Sequence, residues 1–403
     1  MKEPKIRFKG FRGEWEESTL GKISTSYNYG INAAAIQYDG TNKYLRITDI
    51  DENTRMFSQE DLTSPGTDLS CCNDYLLEDG DITIARTGAS VGKSYIYHLS
   101  DGKVYFAGFL IRTRLNDNVD KDCVFYSTLT DKYAKYIRLV SQRSGQPGVN
   151  VEELKGYTFN LPCDKAEQQS IASYFQHLDA LIQSTTKKIE SLKQVKAASL
   201  QSMFPQEGET TPRVRFKGFE GEWEKVRASN VFKTFNEKNR PDLPVLSATQ
   251  DRGMVTRESI GYNIFHDKSN EATYKHILPG QFIIHLRSFQ GGFAHSSIEG
   301  IASPAYTIME FKDKTRHFDL YWKYIFMSKE FIKRLELITY GIRDGRSISF
   351  EEFSEMYFTV PSYEEQKKIA SYITILDRQI SLHTQRLEKL KQIKAACLDK
   401  MFV

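Results

Sequence analysis

The feature that most constrains this chain is an internal duplication confined to the ends of two halves. Residues 7–16, reading Arg-Phe-Lys-Gly-Phe-Arg-Gly-Glu-Trp-Glu, return at 215–224 with one change, Arg12 against Glu220. A second matched pair closes each half. Glu167-Gln168, Ile171-Ala172-Ser173-Tyr174, Lys196-Ala197-Ala198 and Met203-Phe204 recur as Glu365-Gln366, Ile369-Ala370-Ser371-Tyr372, Lys394-Ala395-Ala396 and Met401-Phe402. Between these ends the halves hardly resemble each other. A chain that keeps its scaffold and changes its inserts presents two different readers in one symmetric frame.

With 403 residues there is room for two or three domains, each burying its own core. The opening Met-Lys-Glu-Pro-Lys-Ile-Arg has no apolar segment, and no run approaches the roughly 18 apolar residues of a membrane span. The chain therefore reads as cytoplasmic. Cys71, Cys72, Cys123, Cys163 and Cys397 show no CxxC spacing, so neither a disulfide framework nor a structural zinc is indicated. A net charge of +3 is small for a protein that binds nucleic acid alone. Either it binds none, or partners share the phosphate contacts.

After Pro162 the pattern turns helical. Ile171, Phe175, Leu178, Ile182, Thr185, Ile189, Leu192 and Met203 fall on a heptad seam, matched by Ile369, Ile373, Leu376, Ile380, His383, Leu387, Leu390, Cys397 and Met401. Asp164 with Glu167, and Ser362 with Glu365, have the spacing of capping boxes. About 38 residues at 1.5 Å rise gives each helix a length of roughly 57 Å. Such a helix needs a partner, and the obvious one is its copy, paired antiparallel. Thr185 and His383 then meet at the midpoint, where a polar residue can fix register.

The segment before each helix alternates strand-like runs with turns. Residues 44–50, 81–85, 94–99 and 104–115 read as strands and 131–141 as a helix. In the second half 244–248, 281–286 and 305–311 read as strands and 319–337 as one helix. The expected class is α+β: a mixed α/β domain at 1–160, a long helix at 161–205, a linker at 206–212, a second mixed domain at 213–360 and a second long helix at 361–403. The two helices pair as an antiparallel coiled coil about an internal pseudo-two-fold.

Several motifs invite a chemical reading. Gly88 to Gly92 followed by Lys93-Ser94 approaches a phosphate loop, but encloses three residues where four are required, and continues as a strand where a helix must begin. A glycine-sharpened hairpin tip carrying Arg86, Thr87 and Lys93 is the better description, able to approach a DNA backbone or groove. Ser303-Pro304-Ala305-Tyr306 and Phe289-Gln290-Gly291-Gly292 each fall short of amino-methyltransferase motifs. No HExxH, GxSxG or nuclease-like carboxylate set appears, and the histidines are scattered, so neither catalysis nor a metal site is expected. What remains is a set of cations beside turns: Lys43, Arg46, Arg86, Lys93 and Arg143 in the first insert, and Arg240, Arg252, Arg287, Arg343 and Arg346 in the second. Arginine's planar fork can take guanine O6 and N7 together; Gln142, Gln146, Asn150 and Gln290 can add adenine contacts.

This order of insert, Glu-Gln helix, insert, Glu-Gln helix resembles the specificity subunit of type I restriction-modification enzymes. The resemblance covers the whole chain and rests on the segments 162–172 and 361–370, the paired helices and Asp81-Ile82 to Lys93. It implies that each insert is a target recognition domain reading one half of a split double-stranded DNA site. It further implies that the helices hold the halves apart and dock two modification subunits, with Glu167, Gln168, Glu365 and Gln366 at the partner contacts. Those partners carry adenine-N6 methylation with S-adenosylmethionine, and restriction subunits add ATP- and Mg-dependent translocation and cleavage; this chain would hold no cofactor. The residues alone leave open a two-headed protein-interaction adaptor on a helical stalk, an enzyme using the Gly-Lys-Ser loop, and an orphan specificity protein without partners.

Overall fold

The computed structural model describes residues 3–143, 145–206, 208–249, 252–260, 268–285, 292–339 and 348–402. Two compact units emerge, and the first of them is not a single stretch of sequence. One comprises Met1–Lys187 with Thr384–Val403; the other is Lys188–His383. Each long helix is thus divided between the units near its middle, since the first runs Lys165–Ser202 and the second Tyr363–Met401.

In the first unit a four-stranded antiparallel sheet has the order Ser24–Tyr29, Leu110–Leu115, Ile82–Ala85, Ser94–Ile96. Its inner strand Ile82–Ala85 is buried on both faces, and the pleat sends alternate residues to opposite sides. Ile82 and Ile84 enter a core with Ile111, Phe125 and Phe175, whereas Ala85 joins Tyr95, Tyr97 and Leu110 in a second core. Smaller pairs complete the unit. Lys43–Leu45 runs parallel to Val104–Phe106, Ala35–Gln37 pairs with Thr63–Pro65, and Glu16–Thr19 pairs with Thr158–Leu161. Helices Lys121–Ser127 and Asp131–Val140 begin on the caps Asp120 and Thr130.

The second unit repeats this plan although its sequence does not. Phe232–Phe235, Thr307–Phe311, Phe282–Ile284 and Phe293–His295 lie in the corresponding order, all antiparallel. Phe282 and Ile284 face one core, and Ile283 faces the other with Ala294 and Ile308. Glu224–Arg227 pairs with Tyr357–Val360 as its counterpart does. The fold asks only for alternation of apolar side chains, so Phe282 takes the place of Ile82 while Ile284 matches Ile84.

Four expectations change, the first being that the strand predicted over 104–115 is two, Val104–Phe106 and Leu110–Leu115, in different sheets. The single helix predicted over 319–337 is two, Asp319–Phe326 and Lys329–Thr339, because Ser328 accepts the Phe331 N–H at 3.2 Å and starts a new helix. The strand predicted over 44–50 stops at Leu45, where Asp49 folds back to accept the Arg46 N–H at 2.9 Å. The capping boxes do not close as expected: Asp164 accepts from Ala166, but the Glu167 carboxylate binds an arginine, as does that of Glu365.

The heptad seam of the first helix is buried from Ile171 through Leu192, whereas Ile380, Leu387 and Leu390 of the second are only half-buried. Within the first unit the helices run antiparallel: Tyr174 lies 3.3 Å from Cys397 Sγ, and Asp179 lies 2.5 Å from Lys394 Nζ. Thr185 is 5% exposed, and its hydroxyl donates to Leu181 O of its own helix at 2.6 Å. Its polarity is satisfied locally.

Candidate nucleic-acid interface

Two internal clamps recur with the same atoms. Arg7 donates from Nε and Nη2 to the two oxygens of Glu167, both at 2.7 Å, and its Nη1 donates to Gly13 O at 2.6 Å. Arg215 does the same to Glu365 and Gly221 O, at 2.7, 2.8 and 2.6 Å. Gly13 and Gly221 have φ of +89° and +81°, so the loop curls its carbonyl toward the guanidinium in a conformation that favours glycine. Beside the glutamates, Gln168 accepts the Asp120 N–H at 2.7 Å and donates to Pro162 O at 2.8 Å. Gln366 accepts from Phe318 N–H at 2.9 Å and donates to Arg316 O and Pro361 O at 3.0 Å. Glu167 and Glu365 are each 1% exposed, and both glutamines are buried. The Glu-Gln pairs expected at partner contacts thus face inward and join each mixed domain to the start of its helix. No side chain of the four is available at the surface.

A second repeated set ties each unit together. Tyr126 donates to Asp179 Oδ2 at 2.9 Å while Lys394 binds Oδ1 at 2.5 Å; Tyr324 donates to Asp377 Oδ2 at 2.9 Å while Lys196 binds Oδ1 at 2.5 Å. Burial, and then the neighbouring aspartate, raise the pKa of Tyr126, and burial raises that of Tyr324, so both phenols remain donors. Each set joins a mixed domain, the opening of its own helix and the end of the other helix.

The hairpin tip occupies one end of the first sheet. Gly92 N–H donates to Ala85 O and Ala85 N–H to Lys93 O, both at 2.8 Å, and Ser94 continues the strand, so no helix N-terminus follows the Gly-Lys-Ser. A Cβ on Gly92 would stand 2.5 Å from Ile137 Cγ2, which fixes glycine where the tip packs on the helix. The tip is joined to 147–149 by Gly88 N–H to Pro147 O at 3.0 Å and Val149 N–H to Arg86 O at 2.8 Å, with Thr87 bridged to Gly148. Exposed Gln146 sits alongside.

The candidate cations separate sharply. Lys93 is 6% exposed, with its ammonium on Ile50 O at 3.0 Å and on Glu52 at 2.5 Å, where it holds the Glu52 carboxyl below its usual pKa. It points inward and does not join a reading surface. Arg46 is paired with Asp49 at 2.7 Å, Arg143 with Glu153, and Arg240 with Asp242 at 3.1 Å. Lys43 donates to Gln59 and to Asp101 O. Arg86 differs: its guanidinium lies 4.7 Å over the Tyr29 ring, with no carboxylate partner among the described residues. Its N–H donates to Phe109 O at 3.0 Å, and Phe109 is 62% exposed. Arg86, Tyr29 and Phe109 thus form an aromatic and cationic edge at the end of the sheet. Sequence reasoning missed the two aromatics; the available signal was Tyr29-Gly30 and Gly108-Phe109, aromatics beside glycines. A Cβ on Gly30 would fall 2.2 Å from Ala107 O, so glycine there permits the approach of the two segments. In the second unit Arg252 is exposed, while Arg287, Gln290, Arg343 and Arg346 lie outside the described residues.

Among the described residues no group of three or more His, Cys, Asp or Glu side chains is placed to hold a metal ion, and no helix is long and apolar enough to cross a membrane.

The sequence pattern of the type I restriction modification DNA specificity domain matches this chain twice, over residues 12–194 and 220–392. Among solved structures, the type I restriction-modification system S subunit from M. genitalium superposes with a TM-score of 0.65 at 13% identity, covering 100% of this chain and 99% of that one. A chain from work on complex assembly and conformational transition of the type I R-M system gives a TM-score of 0.50 at 14% identity, covering 96% and 97%.

Proposed function

The chain belongs to the type I restriction modification DNA specificity family and carries two of its specificity domains; on that premise we propose that each unit reads one half of a split duplex site. It is a DNA specificity subunit, of a family whose members select sequence and leave the chemistry to other subunits. The observation that carries the division into two halves is the repeated frame: the Arg7 and Arg215 clamps and the two tyrosine, aspartate and lysine sets are superimposable in their bonding, whereas the surfaces they support share little sequence. Constant supports with variable faces suit two independent half-sites.

In the first unit the reading edge is Arg86 with Tyr29, Phe109, Thr87 and Gln146. Arg86 supplies the cation left free for a guanine edge or a phosphate, and the exposed aromatics supply apolar contact to thymine methyls or base steps. In the second unit Arg252 and the segments carrying Arg287, Arg343 and Arg346 take the same part. The long helices, continuous in sequence from one unit into the other, set the spacer between half-sites. Two modification subunits dock on the frame and bring S-adenosylmethionine, and restriction subunits bring ATP and Mg. Sharing phosphate contacts with them accounts for the small net charge.

The test is duplex binding by the chain assembled with its cognate modification subunits. The reading expects that scrambling either half of the split site weakens binding by about 1–3 kcal/mol per mismatched pair, and that Arg86→Ala removes discrimination in one half only. Affinity indifferent to both halves, at any salt concentration, would overturn it.

A further inference from the structure

A cavity of about 460 Å³ opens between the 88–92 turn and one face of helix Asp131–Val140. Its polar lining includes Glu52, Arg55, Lys93, Tyr133 and Arg138. This size lies within the roughly 300–1,000 Å³ typical of small-ligand sites. Glu52 is shared, 2.5 Å from Lys93 and 4.0 Å from Arg55, so one carboxylate faces two cations there and Arg138 adds a third. Arg138 has no carboxylate partner among the described residues, and Arg55 Nη1 stands 4.0 Å from Glu52, beyond hydrogen-bond reach.

Two buried polar atoms of residues around this cavity lack a hydrogen-bond partner: Arg55 Nη1 and the hydroxyl of Tyr133, a residue only 3% exposed. Buried donors are almost always satisfied, so an unpaired pair lining one cavity points to a missing acceptor. Burial raises the pKa of the Tyr133 phenol and the Arg55 charge opposes that rise, and both residues line this cavity. Arg55 also adopts φ of 60°, a left-handed backbone uncommon for a non-glycine residue. The loop holds it there through Asp51, whose Oδ1 accepts from Asn53 N–H, Thr54 N–H and the Thr54 hydroxyl at 2.7–3.0 Å. A planar guanidinium fork, a second arginine and a phenol donor around one space match the oxygens of a phosphate.

We propose that this cavity is a phosphate-ester site, taking one phosphoryl group on its sugar through Arg55, Arg138 and the Tyr133 hydroxyl. The ester is carried either by a mononucleotide or by a DNA strand, and only the second source rests on the half-site reading. The binding owes nothing to a phosphate-loop helix; it uses the face of Asp131–Val140 and the 51–56 loop.

The test uses the full chain with Tyr133→Phe and Arg55→Asn, the latter because asparagine tolerates positive φ. Calorimetry with adenosine 5′-monophosphate and inorganic phosphate probes the free ester; titration of duplex DNA by the assembled complex probes the strand. Arg55→Asn is expected to weaken binding about tenfold or more, and Tyr133→Phe about fivefold, through loss of a charged and a neutral donor. Tyr133→Phe should also raise the Tm of the unliganded chain, since it deletes an unpaired buried hydroxyl, and so reports an intact fold. Binding of either free ligand, weakened by both substitutions, assigns the site to a free ester and holds even if no split DNA site is read. Absence of free-ligand binding, with duplex affinity reduced and its salt slope smaller by about one in Arg55→Asn, assigns it to the strand. If neither substitution moves any of these affinities while Tyr133→Phe stays folded, the proposal is wrong.

Discussion

Arg7 and Glu167, 160 residues apart in sequence, meet through two hydrogen bonds of 2.7 Å, and Arg215 and Glu365 repeat that meeting across 150 residues. The near-identical Arg-Phe-Lys-Gly-Phe segments are therefore one half of a lock whose other half is the Glu-Gln helix start. Glu167 is buried, so an unpaired carboxylate there is costly. Arg7→Ala is expected to destabilise the first unit by about 2–4 kcal/mol, and Arg215→Ala the second by a similar amount, measured by chemical denaturation. Losses below a few tenths would show the clamp to be ornamental.

Gln168 and Gln366 each satisfy backbone groups from two segments. Replacing either by leucine keeps volume but strands those groups, at about 2–4 kcal/mol. If these side chains instead served a partner, leucine would leave the isolated chain's Tm unchanged and weaken only assembly.

His317 packs 5.5 Å from Phe311 and 5.7 Å from Trp322, and burial, followed by the Arg316 charge, pushes its pKa down to about 4. The unfolded chain takes a proton as pH falls below about 6.5, whereas the folded one does not until about 4. Stability present in full above 6.5 is thus lost as pH falls toward 4, by on the order of 2–3 kcal/mol. His317→Phe removes the proton site and keeps the aromatic packing. Comparing unfolding free energies at pH 7 and 4.5 should show a smaller acid loss in the variant; equal losses would refute the assignment.

Inserting four residues within 184–188, about one helical turn, alters the helix where the two units divide it. The expected result is a changed spacer between half-sites with both half-sites unchanged. A changed half-site with the old spacer would contradict the role given to the helices.

The frame was legible because its physics is local and periodic. Ile171, Phe175, Leu178 and Ile182 announce a buried stripe at heptad spacing, and all four are buried. The role of Glu167 was not legible: spacing from Asp164 suggested a capping box, and nothing local names Arg7 as its partner. The shared sheet of the two inserts was hidden because Ile82-Thr83-Ile84 and Phe282-Ile283-Ile284 satisfy the same pleat with different side chains. Among the candidate cations, sequence could not separate Lys93 from Arg86. Both stand on one hairpin tip, yet Lys93 turns inward to Glu52 and Arg86 lies over Tyr29.

The central claim is that one duplicated frame supports two independent readers. It is tested most directly by methylation-sensitive genome sequencing of cells carrying this chain with its cognate modification subunits, before and after exchanging residues 225–360 for those of a relative. The account predicts one split motif, with only one half altered by the exchange. A motif without two parts, or an exchange that rewrites both halves, would contradict it.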